Sequence, residues 1–170
     1  MKNYYTQLAK KSLEEYLETG KAPGLPMDCP EELKEKKAGV FVSFHKGDEL
    51  RGCIGTFLPT QPCIGDEIIA CAIAAGQDPR FAPIKKDELA GLKAKVDVLS
   101  PSKKSEAKDL DSKVYGVIVK ARDGRKGLLL PDLEGVETVE QQIEICRQKA
   151  GIAPDEKIEL YRFTVKRHEE

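Results

Sequence analysis

Tryptophan is missing from this chain of 170 residues, and histidine occurs only at positions 45 and 168. The five cysteines, at 29, 53, 63, 71 and 146, form no Cys-x-x-Cys pair and have no regular spacing. Histidines so far apart and cysteines so arranged do not make a zinc or iron–sulfur ligand set, so neither a metal nor another cofactor is expected. An odd, irregular set of cysteines is also no disulfide framework, and reading them as reduced thiols points to the cytoplasm. Charge of one sign is not in excess either. The 28 basic and 29 acidic side chains leave a net charge of −1, which removes the global attraction that a nucleic acid or an anionic membrane needs. No apolar run approaches the length of a membrane span. The opening Met1-Lys2-Asn3-Tyr4-Tyr5-Thr6-Gln7 lacks the apolar centre of a secretory signal.

What is present is ordinary for a globular protein: 40% apolar and 34% charged residues. The length fits one domain with a sizeable core. Residues 3–19 follow a helical period, with Tyr5, Leu8, Ser12 or Leu13 and Tyr16 on one side and Gly20 placed to end it. Residues 22–30, with three prolines, read as a surface loop. Residues 40–45 predict a strand, and Gly47-Asp48 a type II′ turn that pairs Lys46 with Glu49. Uninterrupted, that register sets Cys53 opposite Val42. Pro62 suits the first turn of a helix whose apolar side is Ile64, Ile68, Ala72 and Ala75. One further helical turn is expected over 85–90, then a half-buried strand over 92–98.

Residues 100–113 are polar and lysine-rich, a solvated connection with one short helix rather than a nucleic-acid stripe. A strand over 114–120, a turn at Asp123-Gly124 and a returning strand over 126–130 form a second hairpin. Thr138-Val139-Glu140-Gln141 is a capping box opening a helix with Val139, Ile143, Cys146 and Ala150 as its apolar stripe, closed by Gly151. A last strand covers 158–166. No internal repeat is visible. Hairpins with separated helices indicate an α+β fold, mostly antiparallel sheet flanked by helices.

The segment Leu50-Arg51-Gly52-Cys53-Ile54-Gly55-Thr56-Phe57 is the unusual one. It reads as a strand yet holds two glycines, a guanidinium and a thiol. Strands disfavour glycine unless something must approach the backbone closely or a bulge interrupts the ladder. Strict alternation puts Arg51, Cys53 and Gly55 on one face. A cation near a thiol favours the thiolate, the nucleophilic form.

Leu-Arg-Gly-Cys-Ile-Gly-Thr at 50–56 resembles the hallmark of the AMMECR domain family, also called protein A of the AmmeMemoRadiSam system. The resemblance continues in order through Ala72-Ile73-Ala74-Ala75, Asp78-Pro79-Arg80-Phe81, Val96-Asp97-Val98-Leu99-Ser100, Gly127-Leu128-Leu129-Leu130-Pro131 and Leu160-Tyr161-Arg162-Phe163, about residues 40–165. It implies an α+β fold of two unequal lobes with the signature near a cleft. It also implies a Memo-like protein and a radical SAM enzyme as partners, and brings no established reaction. Cys63 and Cys71 depart from the family pattern, standing where apolar residues are expected, and take no catalytic role.

The candidate site residues each carry two readings. Cys53 is either a nucleophile or a small core hydrophobe, because the uninterrupted register gives it Val40, Val42 and Phe44 as neighbours. Arg51 either stabilises the thiolate or an anionic substrate group, or pairs with a carboxylate, for which Asp78 and Asp97 are the candidates. Gly52 and Gly55 mark a bulge, or a backbone bared for a ligand or partner strand. Thr56 offers a hydroxyl at the strand end or is simply a β-former. Asp78 leans towards capping the following turn, while Arg80 either pairs structurally or faces the signature to bind an anion. His45 is expected exposed beside the turn, and with no histidine near Cys53 in that register a papain-like hydrolase lacks support. Two functions remain: thiol chemistry at Cys53 on a small-molecule substrate, and a non-catalytic module that docks a protein partner through the glycine-bearing strand.

Overall fold

The computed structural model describes residues 3–170, which form two compact units. One runs to Leu99 and is joined by Lys166–Glu170, and the other is Ser100–Val165. The fold is α+β as expected, with helices and two antiparallel four-stranded sheets.

In the first unit, α1 (Tyr4–Thr19) starts at Asn3, whose side chain accepts from the Tyr5 N–H. It stops at Gly20, whose φ of +72° is the left-handed conformation that glycine adopts without penalty. A short α2 (Glu31–Glu35) was not anticipated, its five residues being too few to show a period. The strands β1 (Val40–Lys46) and β2 (Glu49–Thr56) form the expected hairpin, with Gly47 at φ +60°. Helix α3 (Ile64–Gly76) begins after Cys63, so Pro62 lies just outside it. A 3-10 turn (Lys86–Gly91) leads into β3 (Leu92–Leu99), and the sheet is completed in the order β2-β1-β3-β8, with β8 at Val165–Glu169.

The core of this unit is the inner face of β1 and β3 against α1 and α3. Val40, Val42 and Phe44 alternate into it and are fully buried, facing Leu13, Ile68, Ala72 and Ala75. At about 25 cal/mol per Å² of apolar surface, each such large side chain contributes roughly 1.5–3 kcal/mol. The predicted apolar side of α3 is therefore the side that packs.

The second unit holds β4 (Lys103–Ser105), β5 (Gly116–Ala121), β6 (Lys126–Leu129), α4 (Val139–Ala150) and β7 (Ile158–Phe163), in sheet order β4-β7-β5-β6. The capping box at Thr138 and Gln141 is formed, and Gly151 ends α4 at φ +65°. Val117, Val119, Leu129 and Cys146 are the centre of its core. The strand expected from 114 begins at Gly116, because Val114 and Tyr115 instead turn back on the Asp111 carbonyl. The single terminal strand expected over 158–166 is two strands, β7 and β8, belonging to different sheets. The break is Thr164, whose N–H donates to Ser100 Oγ while its carbonyl accepts from the Ser100 N–H. Neither contact can be read from a run of β-formers.

Candidate functional site

The hairpin β1–β2 does not keep one register. Lys46 pairs with Glu49 and His45 with Leu50, but Phe44 then pairs with Gly52. Arg51 is the extra residue of a β-bulge, so every later residue of β2 is displaced by one. Cys53 accordingly lies opposite Ser43, and Ile54 opposite Val42. This corrects the expectation that Cys53 faces Val42 among core residues. A one-residue slip moves a strand's side chains to the other face of the sheet, so Ile54 packs on the core while Cys53 shares the outer face with Ser43.

The bulge is held by Arg51 itself. Its Nε and Nη2 donate to Glu88 Oε2 and Oε1, both at 3.0 Å, and Nη2 also reaches the Ala82 carbonyl at 3.3 Å. Neither Asp78 nor Asp97 is the partner. Glu88, bound also by the Lys85 N–H, has its carboxyl pushed down to about 2, first by the Arg51 hydrogen bonds. A bidentate guanidinium–carboxylate fork is both strong and directional. Glu88 was missed because it sits in a short turn whose only signal is its place three residues after Lys85.

Asp78 and Arg80 meet Cys53 instead. The Cys53 N–H donates to Asp78 Oδ2 at 3.0 Å, and the Cys53 carbonyl accepts from Arg80 Nη2 at 3.0 Å. Arg80 closes the ring onto Asp78, with Nη2 to Oδ2 at 2.7 Å and Nε to Oδ1 at 3.1 Å. The Arg80 hydrogen bonds, ahead of the opposing effect of burial, hold the Asp78 carboxyl well below the usual carboxylate range. Strand β2 is the edge of its sheet. There the carboxylate and guanidinium do what a further strand's carbonyl and N–H would do, satisfying and blocking the edge. Asp97, by contrast, is bound by Arg167 Nε at 2.8 Å.

The glycines answer to packing. A Cβ on Gly52 would collide with the Ala75 carbonyl of α3, and one on Gly55 with the Phe41 ring. Both bare positions are occupied from within the unit. Thr56 donates through Oγ1 to Glu67 Oε1 at 2.8 Å. Glu67, fully buried in α3, also accepts from the Thr60 N–H, the Thr60 hydroxyl and the Gln61 N–H. Burial by itself raises its pKa, but those donors outweigh it and the net shift is downward. The available signal for Glu67 was an acidic residue next to Ile68 in a helix that, beyond its first turn, is apolar.

His45 is half-buried rather than exposed, and its Nε2 lies 3.1 Å from Ser43 Oγ. Burial, then the nearby Lys95, lower its pKa. Among the five cysteines, Cys29, Cys63, Cys71 and Cys146 are buried and only Cys53 is half-buried. Burial pushes the Cys71 and Cys146 thiols up to about 12, and also raises Cys29 and Cys63. Among the described residues no helix is long and apolar enough to cross a membrane.

An α+β protein with a thiol set on a clamped, bulged edge strand is the class that this geometry defines. The chain belongs to the AMMECR1 family, whose model matches residues 6–168. A Thermotoga maritima protein is 49% identical over 168 residues, covering 96% of each chain. A Clostridium acetobutylicum protein is 48% identical and covers 99% of this chain, but this chain spans only 36% of that longer protein. The crystal structure of an uncharacterized protein from Pyrococcus horikoshii superposes with a TM-score of 0.89 at 35% identity, covering 98% of this chain and 90% of that one.

Proposed function

We propose that Cys53 is the reactive thiol of an AMMECR-type component in a radical-SAM- and Memo-linked modification or redox pathway, acting through the 50–56 strand. The carrying observation is that Cys53 alone among the five cysteines is not buried. Its main chain is fixed on both polar atoms by Asp78 and Arg80, so the thiol sits on a rigid element. Arg80 is the guanidinium bound at the Cys53 backbone, while Arg51 is engaged by Glu88 and supports the bulge. The test is alkylation of the folded protein with iodoacetamide, read by peptide mass spectrometry. Cys53 should label first, at least tenfold faster than the buried cysteines, roughly the factor that a one-unit difference in thiol pKa produces. Labelling of Cys53 no faster than the buried four ends this reading.

A second reading is a docking module whose Cys53 is structural. It is favoured by the Clostridium relative, in which a stretch like this chain is part of a protein nearly three times as long, since this chain spans 36% of it. Co-purification with the Memo-like or radical SAM protein should then survive Cys53→Ala. Bulky substitutions at Gly52 or Gly55 do not discriminate here, because the Ala75 carbonyl and the Phe41 ring already fill those places.

A further inference from the structure

We infer that Cys53, Ser43 and His45 form a proton relay, with His45 accepting the Cys53 proton through the Ser43 hydroxyl when the thiol attacks an electrophile. This rests on the reading of Cys53 as the reactive thiol and adds a base to it. The bulge at Arg51 is what assembles the three. It sets Cys53 directly across from Ser43 on the outer face of the sheet, and His45 follows Ser43 by two residues on that same face.

Cys53 and Ser43 are direct partners across the hairpin. Both polar groups of the Cys53 main chain point away from β1, to Asp78 and Arg80. The two residues are therefore a non-hydrogen-bonded pair, the type in which Cα atoms approach to about 4.5 Å and side chains lie nearest. Ser43 is itself buried, and its Oγ is 3.1 Å from His45 Nε2. A hydroxyl between a thiol and an imidazole accepts from one side and donates to the other.

The surroundings keep the imidazole neutral. Lys93 lies opposite His45 and Lys95 opposite Ser43 on β3. Lys95 is paired at 3.4 Å with Glu169 of β8, and Asp97 is paired with Arg167. On β2 the charge next to Leu50, the partner of His45, is Arg51, which is paired with Glu88, and Arg80 reaches the Cys53 carbonyl from the loop after α3. Burial and Lys95 both lower the His45 pKa, so near pH 7 it is an acceptor of protons rather than a cation. The corresponding places in the second unit are apolar: Leu128 follows Gly127 on edge strand β6 and pairs with Ile118. The polar set belongs to the first hairpin alone.

With iodoacetamide as the electrophile, sulfur forms a bond to the methylene carbon as the C–I bond breaks and iodide leaves with its electron pair. The thiol proton passes to Ser43 Oγ as the Ser43 proton passes to His45 Nε2, leaving an imidazolium. The experiment is the pH profile of Cys53 alkylation in the wild-type chain, Ser43→Ala, Ser43→Thr and His45→Gln, with far-UV circular dichroism to establish folding. The wild-type rate should already level off above about pH 6.5, where a histidine of lowered pKa has lost its proton. Ser43→Thr keeps the hydroxyl and should keep that profile. Ser43→Ala and His45→Gln should lose the plateau, climb towards about pH 8.5 as an ordinary thiol does, and be about tenfold slower at pH 7. A reactive wild-type Cys53 whose profile is unchanged in both folded variants overturns the relay and leaves the thiol reading standing. A wild-type Cys53 that does not react overturns both.

Discussion

The two units are built on one plan. In the first, hairpin β1–β2 is followed by α3 and then by β3, which pairs with β1; in the second, hairpin β5–β6 is followed by α4 and then by β7, which pairs with β5. The correspondence reaches single residues. Gly52 and Gly127 both lie where a helix backbone presses on an edge strand, at the carbonyls of Ala75 and Cys146. The next residues, Cys53 and Leu128, both have their carbonyls bound by a cation, Arg80 at 3.0 Å and Lys149 at 2.9 Å. Cys71 and Cys146, buried on the helices, both donate to the first hairpin strand, at Val40 and Val117. These shared features are the mechanics of laying a helix on a hairpin, and none of them marks a site.

The differences are then what call for function. The second hairpin keeps one register throughout, while the first has its bulge at Arg51. The second has Ile118 and Leu128 where the first has Ser43 and Cys53. Only the first edge is clamped by a buried carboxylate, Asp78, as well as by a cation. Features common to both hairpins are separated in this way from those of the first hairpin alone.

The largest effect should come from the shared position. Gly52→Ala and Gly127→Ala each drive a Cβ into a helix carbonyl, and backbone cannot yield as a side-chain end can. Each should lose about 3 kcal/mol or more in urea unfolding. A large loss for one and none for the other breaks the parallel. Next comes a residue of the first unit alone: Glu67→Ala strands the donors on Thr56, Thr60 and Gln61 and should cost about 2–3 kcal/mol by the same measurement.

Glu88→Gln tests the bulge through pH. The Glu88 pKa is lowered on folding, so its contribution is complete above its unfolded value and disappears as pH falls towards about 2. Wild type should exceed Glu88→Gln in stability by about 1–3 kcal/mol at pH 7, with the gap closing below about pH 4.3. A gap independent of pH contradicts the ion pair. The smallest effects belong to the edge caps. Lys149→Ala removes one carbonyl hydrogen bond, worth about 0.5–1.5 kcal/mol. Arg80→Ala should exceed it, because buried Asp78 is left without its cation. Equal losses in thermal unfolding place Asp78 outside the clamp.

Much of this was legible in the residues. Helix ends at Gly20 and Gly151, the capping box at Thr138, both hairpin turns and the apolar side of α3 all follow from contacts within a few residues, and local chemistry decides them. The unusual strand at 50–56 announced itself through its glycines, and a bulge was one of the readings it offered. Its position was not legible, because one inserted residue looks the same as continued alternation until a partner strand is present. For that reason Cys53 was placed opposite Val42, and Arg51 was given the wrong carboxylates.

By itself, the amino-acid sequence determined the elements, the α+β class, the family resemblance and the segment on which to look. Those depend on periodicity, turn chemistry and a run of residues in order, all carried along the chain. The tertiary structure decided which face the thiol occupies, that Glu88 rather than an aspartate meets Arg51, that Asp78 and Arg80 close the edge at Cys53, and that Ser43, in contact with His45, lies opposite it. It also disclosed the common plan of the two units, which share positions and packing but no readable repeat. These are pairings between residues up to 37 positions apart, as Arg51 and Glu88 are. Such pairings are set by register and by helix-on-strand contact, which no stretch of sequence contains.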